Sequence, residues 1–347
     1  MLKCMKMILF MAVVTLLCGK VFAEKELRLY IWSEYIDPAI VKSFEKQFNC
    51  KVLVDLYESN EEMTAKLLAG GVSQYDIVVP SGYAVKSMLQ QKLLMKLDKS
   101  KIPNLKNVDS QFARMPSDPQ GDYSVPYQWG TIGILYHTEK VKNFRPSWKM
   151  VLGDQANGAF LLMDSTREML GSVLIFMGKS PNTADKKEIA AAAKLLMQTK
   201  RNKDFRGFEG GIGGKNQVIA GTAAMAVTYN GDAVRGMADN PKTAFVNPEE
   251  GGLIWVDSMA ITAKAPNAEL AHQFVNYILD PKIGAQLSNF NRYPTPNAAA
   301  IPFIKPVDLK NPAIYPSAET RKKLYFLDDL GRDNRIYDEA WTAVKSR

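Results

Sequence analysis

Six short stretches of the 347-residue sequence, five directly after apolar runs and one in a proline-rich turn, concentrate aromatic rings, carboxylates and hydroxyls. They are Trp32-Ser33-Glu34-Tyr35, Pro80-Ser81-Gly82-Tyr83, Asp164-Ser165-Thr166-Arg167-Glu168, Tyr229-Asn230-Gly231-Asp232, Trp255-Val256-Asp257-Ser258 and Tyr293-Pro294-Thr295-Pro296-Asn297. Five of the six bring a ring and four bring a carboxylate, which is the pairing an organic cation needs. Carboxylates replace the hydration that an ammonium group loses in a closed site. Ring faces cover methylenes and attract cationic ends, at about 0.5–2 kcal/mol for each well-placed contact. A sugar site would carry more amides and fewer acids. An amino-acid or anion site would carry an arginine clamp or open helix N-termini.

Each residue also has a plainer reading. Trp32 and Trp255 fit core packing, Glu34 fits a solvated loop, and Tyr293 fits packing within its proline-rich turn. Ser81, Asp164 and Ser165 fit helix N-caps. Asp257 is harder to set aside, because an acid among Ile254, Val256 and Met259 needs a partner if it is buried. What distinguishes the set is its coincidence at strand ends, where open α/β sheets bind ligands.

The elements that carry these stretches alternate. Leu27, Leu29 and Ile31 alternate with Arg28, Tyr30 and Trp32 as in a strand. Asp37-Pro38 opens a helix with Val41, Phe44 and Phe48 on one face. Strands are predicted over 52–56, 77–79, 159–163, 223–229 and 253–256. Helices are predicted from Asn60 to the Gly70-Gly71 stop, over 187–199 with an Ile189, Ala192, Ala193, Leu196 stripe, and over 268–279. Repeated βα units predict an α/β architecture with mostly parallel sheets. No linker separates two independent domains, so two lobes would have to exchange the chain more than once.

The first 23 residues read as a secretory leader: Lys3 and Lys6, an apolar run from Met7 to Cys18, and a Val21-Phe22-Ala23 cleavage site. Leu16-Leu17 before Cys18 disfavours a lipid anchor there. The mature chain is thus expected to be soluble and to work in the periplasm. The leader takes Cys4 and Cys18 with it, so no intramolecular disulfide is expected. It also removes three lysines and no acids, lowering the net charge from +8 to +5. The remaining Lys and Arg are dispersed without an aromatic-basic motif, which argues against nucleic acid.

Enzymatic readings find little footing. His137 and His272 are the only histidines, and neither sits near a nucleophile motif. The glycine-rich segment 207–215 fails the phosphate-loop pattern, with Glu209 at the first glycine position and Asn216 at the Ser/Thr position. No metal-ligand spacing is present, and the tyrosines lie at separate strand ends rather than paired for ferric iron.

The residues resemble a known family. Trp32-Ser33-Glu34-Tyr35, Val79-Pro80-Ser81-Gly82-Tyr83, Gly251-Gly252-Leu253-Ile254-Trp255-Val256-Asp257-Ser258 and Tyr293-Pro294-Thr295-Pro296-Asn297 are similar to motifs of the spermidine/putrescine-binding proteins, the periplasmic receptors of polyamine ABC transporters. Tyr57-Glu58-Ser59-Asn60, Tyr123-Ser124-Val125-Pro126-Tyr127 and Trp129-Gly130 extend the similarity over nearly the whole mature chain. The resemblance implies a type II periplasmic-binding-protein fold, in which two α/β lobes joined by two crossover strands close on a ligand in the cleft between them. Lobe 1 would comprise 24–134 plus 257–305 and lobe 2 135–256 plus 306–347, with crossovers near 133–136 and 255–257.

By the same resemblance, Trp32, Tyr35, Tyr229, Trp255 and Tyr293 line the polyamine chain, and Glu34, Glu168 and Asp257 hold ammonium groups. Ser81 and Tyr83 match polar contacts, Ser33 and Ser165 beside them are further candidate ligand-binding residues, and Asp232 matches an acid of putrescine-selective members. Ser165 and Leu327 stand where spermidine-preferring members tend to carry aspartate and glutamine, and Tyr229 replaces a tryptophan. Tyr83 and Trp255 look like the spermidine type. An acid lost near a third nitrogen leans the expectation toward putrescine. The implied protein is a monomer without catalysis, cofactor or metal, and its partner is an inner-membrane ABC permease met transiently. Two alternatives stay open: a binding protein of the same fold for another organic cation, and a polyamine sensor.

Overall fold

The computed structural model describes residues 25–346 apart from 154, 155, 157 and 211. The leader expected over 1–23, with its cleavage site and Cys18, lies outside the described residues.

Strand β1 (Lys25–Trp32) leads into helix α1 (Pro38–Phe48). The Asp37 carboxylate accepts the Ala39 N–H at 2.8 Å while Pro38 takes the first helical position, so the sequence signal acts as read. Strand β2 (Cys50–Tyr57), helix α2 (Asn60–Leu68), strand β3 (Ile77–Val78) and helix α3 (Gly82–Gln90) follow. β1 pairs in parallel with β2 and with β3. Leu27, Leu29 and Ile31 face one core with Ile40, Phe44 and Phe274, whereas Tyr30 faces another with Tyr57, Met63 and Met88. Burial on both faces is what parallel strands in this setting require.

The second half of the sheet uses β4 (Ser124–His137), β5 (Phe160–Met163), α4 (Thr166–Phe176), α5 (Lys186–Lys200), β6 (Phe205–Glu209), α6 (Gly213–Ile219), β7 (Met225–Tyr229), α7 (Asn230–Asp239) and β8 (Thr243–Val246). β5 runs parallel to both β6 and β7. Ile189, Ala192, Ala193 and Leu196 of α5 are buried, as their spacing predicts. They pack with Phe160, Leu162, Leu170 and Met225. Then come β9 (Gly252–Ile261), α8 (Ala268–Ile278), α9 (Pro281–Asn291) and the closing helix α10 (Asn334–Ser346), which packs on α4 and α5.

The strands run in the order β2-β1-β3-β9-β4-β7-β5-β6. Both flanks are parallel, as expected, but β3/β9, β9/β4 and β4/β7 are antiparallel. The antiparallel centre arises from two long strands that serve both halves. β4 gives Val125 and Tyr127 to the first core and Ile132 and Ile134 to the second. β9 gives Leu253 to the second core and Met259 and Ile261 to the first. The chain therefore crosses between two lobes along β4 and again along β9, and returns once more before α10 packs into the second core, in the two-lobed binding-protein arrangement.

One expectation needs correction. The sequence predicts that the strand over 253–256 ends at Asp257-Ser258. Instead β9 continues to Ile261, because Ala260 and Ile261 pair with Val78 and Ile77. Asp257 thus lies within a strand, with its backbone fixed by the ladder rather than by a loop. Its polarity mimics a strand end only because it faces the cleft.

Candidate functional site

Several elements end or begin at one place between the lobes. Trp32 is the last residue of β1, Tyr229 the last of β7, and Asp257 lies within β9. Ser81 and Ser165 occupy the N-cap positions of α3 and α4, yet neither side chain caps its helix. Glu168 and Asp232 sit in the first turns of α4 and α7, where the helix dipole favours a carboxylate.

These placements form a slot. Of the thirteen expected site residues, Trp32, Ser33, Tyr35, Ser81, Glu168, Tyr229, Asp232, Trp255, Asp257 and Tyr293 line it, together with Glu58 and Ile212. Tyr83 and Ser165 line an outer cavity that shares Trp32, Glu58, Glu168 and Tyr229 with the slot. Glu34 lines neither.

The aromatic wall is a continuous set of edge contacts. Ring centroids lie 5.5 Å apart for Tyr35–Tyr293, 5.0 Å for Trp255–Tyr293 and 5.8 Å for Tyr229–Trp255. Hydrogen bonds fix the surrounding rings: Tyr127 Oη donates to the Tyr35 carbonyl at 2.8 Å, and Trp32 Nε1 donates to the Val79 carbonyl at 2.9 Å. Asn60 Nδ2 donates to Tyr83 Oη at 2.9 Å. Tyr229 and Trp255 each pack against both cores, so the slot is walled from both lobes.

Electrostatics sets two acids apart. Burial pushes the Asp257 carboxyl up to about 7, with Ser81 and Tyr35 beside it offsetting only part of that cost. The Tyr35 hydroxyl makes no well-formed hydrogen bond, and Asp257 Oδ1 has no partner. Burial likewise pushes Glu168 up to about 7, even though Tyr229 Oη donates to it at 2.7 Å. Among the described residues, no cationic side chain pairs with either acid. An aromatic slot with two buried, uncompensated carboxylates is built for a ligand that brings its own positive charges.

The profile of the family described as bacterial extracellular solute-binding protein matches residues 39–316. The chain belongs to this family. Among its relatives, the spermidine/putrescine-binding periplasmic protein of Escherichia coli (strain K12) is 36% identical over 321 residues, covering 92% of this chain and 91% of that protein. The putrescine-binding periplasmic protein SpuD of Pseudomonas aeruginosa is 36% identical over 345 residues, covering 93% and 92%. A solved Listeria monocytogenes structure, described as a spermidine/putrescine ABC transporter protein, superposes with a TM-score of 0.85 at 32% identity and covers 93% of this chain and 99% of its own. The family is one of solute binding for transport rather than of catalysis.

Within this solute-binding cleft, the resemblance placed Glu34 among the acids that hold ammonium. In the structure Glu34 adopts a left-handed backbone, with φ of 53°, and turns toward the protein's own cations. Arg235 Nη2 donates to Glu34 Oε2 at 2.8 Å and to Asp232 Oδ1 at 2.5 Å, and Lys215 Nζ reaches Glu34 Oε2 at 3.3 Å. These bonds hold the Glu34 carboxyl below its usual range despite partial burial. Sequence reasoning missed Arg235, Lys215 and Glu58. The first two follow no strand, and only their distance in sequence from Glu34 separates them from ordinary surface charges. Glu58 falls in a family motif but carries no signal of its own; it receives a hydrogen bond from the Ser33 hydroxyl.

Gly231 has a specific task here. A Cβ at this position would lie 2.4–2.6 Å from Tyr293 ring carbons, so the ring rests directly on the glycine backbone. Gly231→Ala is expected to displace Tyr293 from the slot, destabilising the protein by about 1–3 kcal/mol through overpacking. The same variant should weaken ligand binding by about tenfold or more, since one aromatic contact is worth up to about 2 kcal/mol. Thermal unfolding and titration calorimetry read the two effects.

Proposed function

We propose that this protein captures a polyamine in its interlobe slot, with putrescine the favoured ligand, and delivers it to an ABC permease. The observation that carries the proposal is the pair of buried carboxylates, Asp257 and Glu168, which no cation among the described residues neutralises. In this reading each holds one ammonium group, while Trp32, Tyr35, Tyr229, Trp255 and Tyr293 enclose the methylenes. Ser33, Ser81, Tyr83 and Ser165 complete the polar contacts. The named functions of the E. coli and P. aeruginosa relatives support the same ligand class. Their periplasmic names support removal of residues 1–23 and work outside the cytoplasm, where the protein is proposed to act as a monomer. A diamine matches these two buried acids, and Ser165 and Leu327 add no further anion at the positions where spermidine-preferring members tend to have aspartate and glutamine.

Titration calorimetry with putrescine, cadaverine, spermidine and spermine on ligand-stripped protein tests the proposal. The expected order places putrescine first. Absence of binding to all four would defeat the polyamine reading, and much tighter binding of spermidine would defeat the diamine preference.

A further inference from the structure

Seven carboxylates stand around the cleft and its outer cavity: Glu34, Glu58, Glu61, Asp164, Glu168, Asp232 and Asp257. Three of them are already answered, Asp164 by Lys345 at 2.7 Å on the outer side and the other two at the far end of the slot. Asp232 lines the slot, but Arg235 Nη2 holds it at 2.5 Å and also bonds Glu34 at 2.8 Å. Lys215 Nζ adds a second cation at 3.3 Å from Glu34. Both cations are well buried, with side chains only 16% and 9% exposed. Arg235 is further anchored by Nη1, which donates to the Asn291 carbonyl at 2.8 Å. At this end of the slot the protein therefore supplies two positive charges for two negative ones. An arriving ammonium would meet a neutralised carboxylate with a guanidinium behind it, and like charges at such range repel in a poorly solvated site.

We infer that Arg235, with Lys215 behind it, is a built-in cation that caps the Asp232 end of the slot and limits the ligand to two ammonium groups. The guanidinium stands where a third ligand nitrogen would otherwise find Asp232 and Glu34, and its fixed fork suits two carboxylates at once. Chain length is thereby selected by charge rather than by bulk. This inference rests on the polyamine reading and adds a specificity-determining residue to it.

The test compares putrescine and spermidine affinities by calorimetry in the wild type, Arg235→Gln and Lys215→Met. Arg235→Gln keeps a donor for the Asn291 carbonyl but removes the charge, and Lys215→Met removes the second cation while leaving the Arg235 bonds in place. Each variant leaves the end of the slot one charge more negative. The expected result is a spermidine-to-putrescine affinity ratio raised by about tenfold or more in each variant, at about 1.4 kcal/mol per tenfold. If Arg235 only clamps the lobes together, both affinities fall by the same factor and the ratio stays put, which overturns the inference. If one variant fails to fold, the ratio in the other decides. A wild type that binds neither ligand would overturn the polyamine reading and this inference with it. A wild type that binds, with variants of unchanged ratio, overturns this inference alone.

Discussion

Replacing Asp257 by Asn is expected to weaken polyamine binding by about 10²–10³-fold while leaving the ligand-free protein at least as stable as before. Asp257 is buried within β9, where the ladder to β4 fixes its position. Removing one partner of a buried charge pair costs about 3–5 kcal/mol, because the other charge is left without compensation. At about 1.4 kcal/mol per tenfold, that spans the stated range. The stability side follows from the same burial. The carboxyl is pushed up to about 7 with no cation near it, so in the empty slot it opposes folding whenever it is ionised. An amide of the same shape removes that opposition. Calorimetry measures the first effect and thermal unfolding the second. Binding that survives intact would remove Asp257 from its assigned role.

Affinity is also expected to rise steeply with pH, by roughly 10²–10³-fold between pH 5.5 and 7.5. The ligand needs both Asp257 and Glu168 ionised, yet burial pushes both up to about 7 in the empty slot. Protons therefore compete with ammonium groups for the same oxygens, and each acid contributes up to tenfold per pH unit below its pKa. Ligand binding at pH 5.5 should release close to two protons, measurable by calorimetry in buffers of different ionisation enthalpy. The sign for stability is opposite. A carboxyl raised above its unfolded value binds protons in the folded state that the unfolded chain has already lost. Its contribution is complete below about pH 4 and disappears as pH rises through about 7. The ligand-free protein should thus unfold at lower temperature at pH 7.5 than at pH 5, and bound polyamine should reverse that trend. A flat affinity profile would contradict the pairing of ligand nitrogens with these two acids.

Much of this site was legible in the sequence because most of its components follow an apolar strand, Tyr293 after helix α9 being an exception. Trp32, Ser81 and Tyr229 announce themselves as polar or aromatic residues where a run of Leu, Ile and Val stops. Asp257 was found for the same reason, although its strand continues: Met259 to Ile261 resume the apolar pattern, and Ala260 and Ile261 pair with β3. The role of Glu34 was not legible. The type of residue suits a ligand acid, but a left-handed turn after β1 sends its carboxylate toward Arg235, 201 residues away. Pairing between α7 and the turn after β1 leaves no trace in periodicity or spacing. The serines show the converse. Ser81 and Ser165 carry strong N-cap signatures, and they do occupy those positions, yet their hydroxyls cap nothing and line the slot and the outer cavity instead. Fold class follows from the alternation of patterns, whereas the antiparallel centre depends on two strands being long enough to serve both cores.

That sharing of β4 and β9 bears on the order in which the molecule can be assembled. The first core opens with β1 near the start of the chain, but β3 gains its second neighbour only when Ala260 and Ile261 arrive, and Phe274 and Leu287 fill the core later still. A growing chain that has reached residue 250 lacks those parts and has nothing local to substitute for them. Contacts this distant in sequence form slowly, since a long loop must close before they contribute. The N-terminal half thus stays uncommitted until most of the polypeptide has been made. Were residues 1–23 to act as the proposed leader, that delay would preserve a form that can still be threaded through a narrow channel.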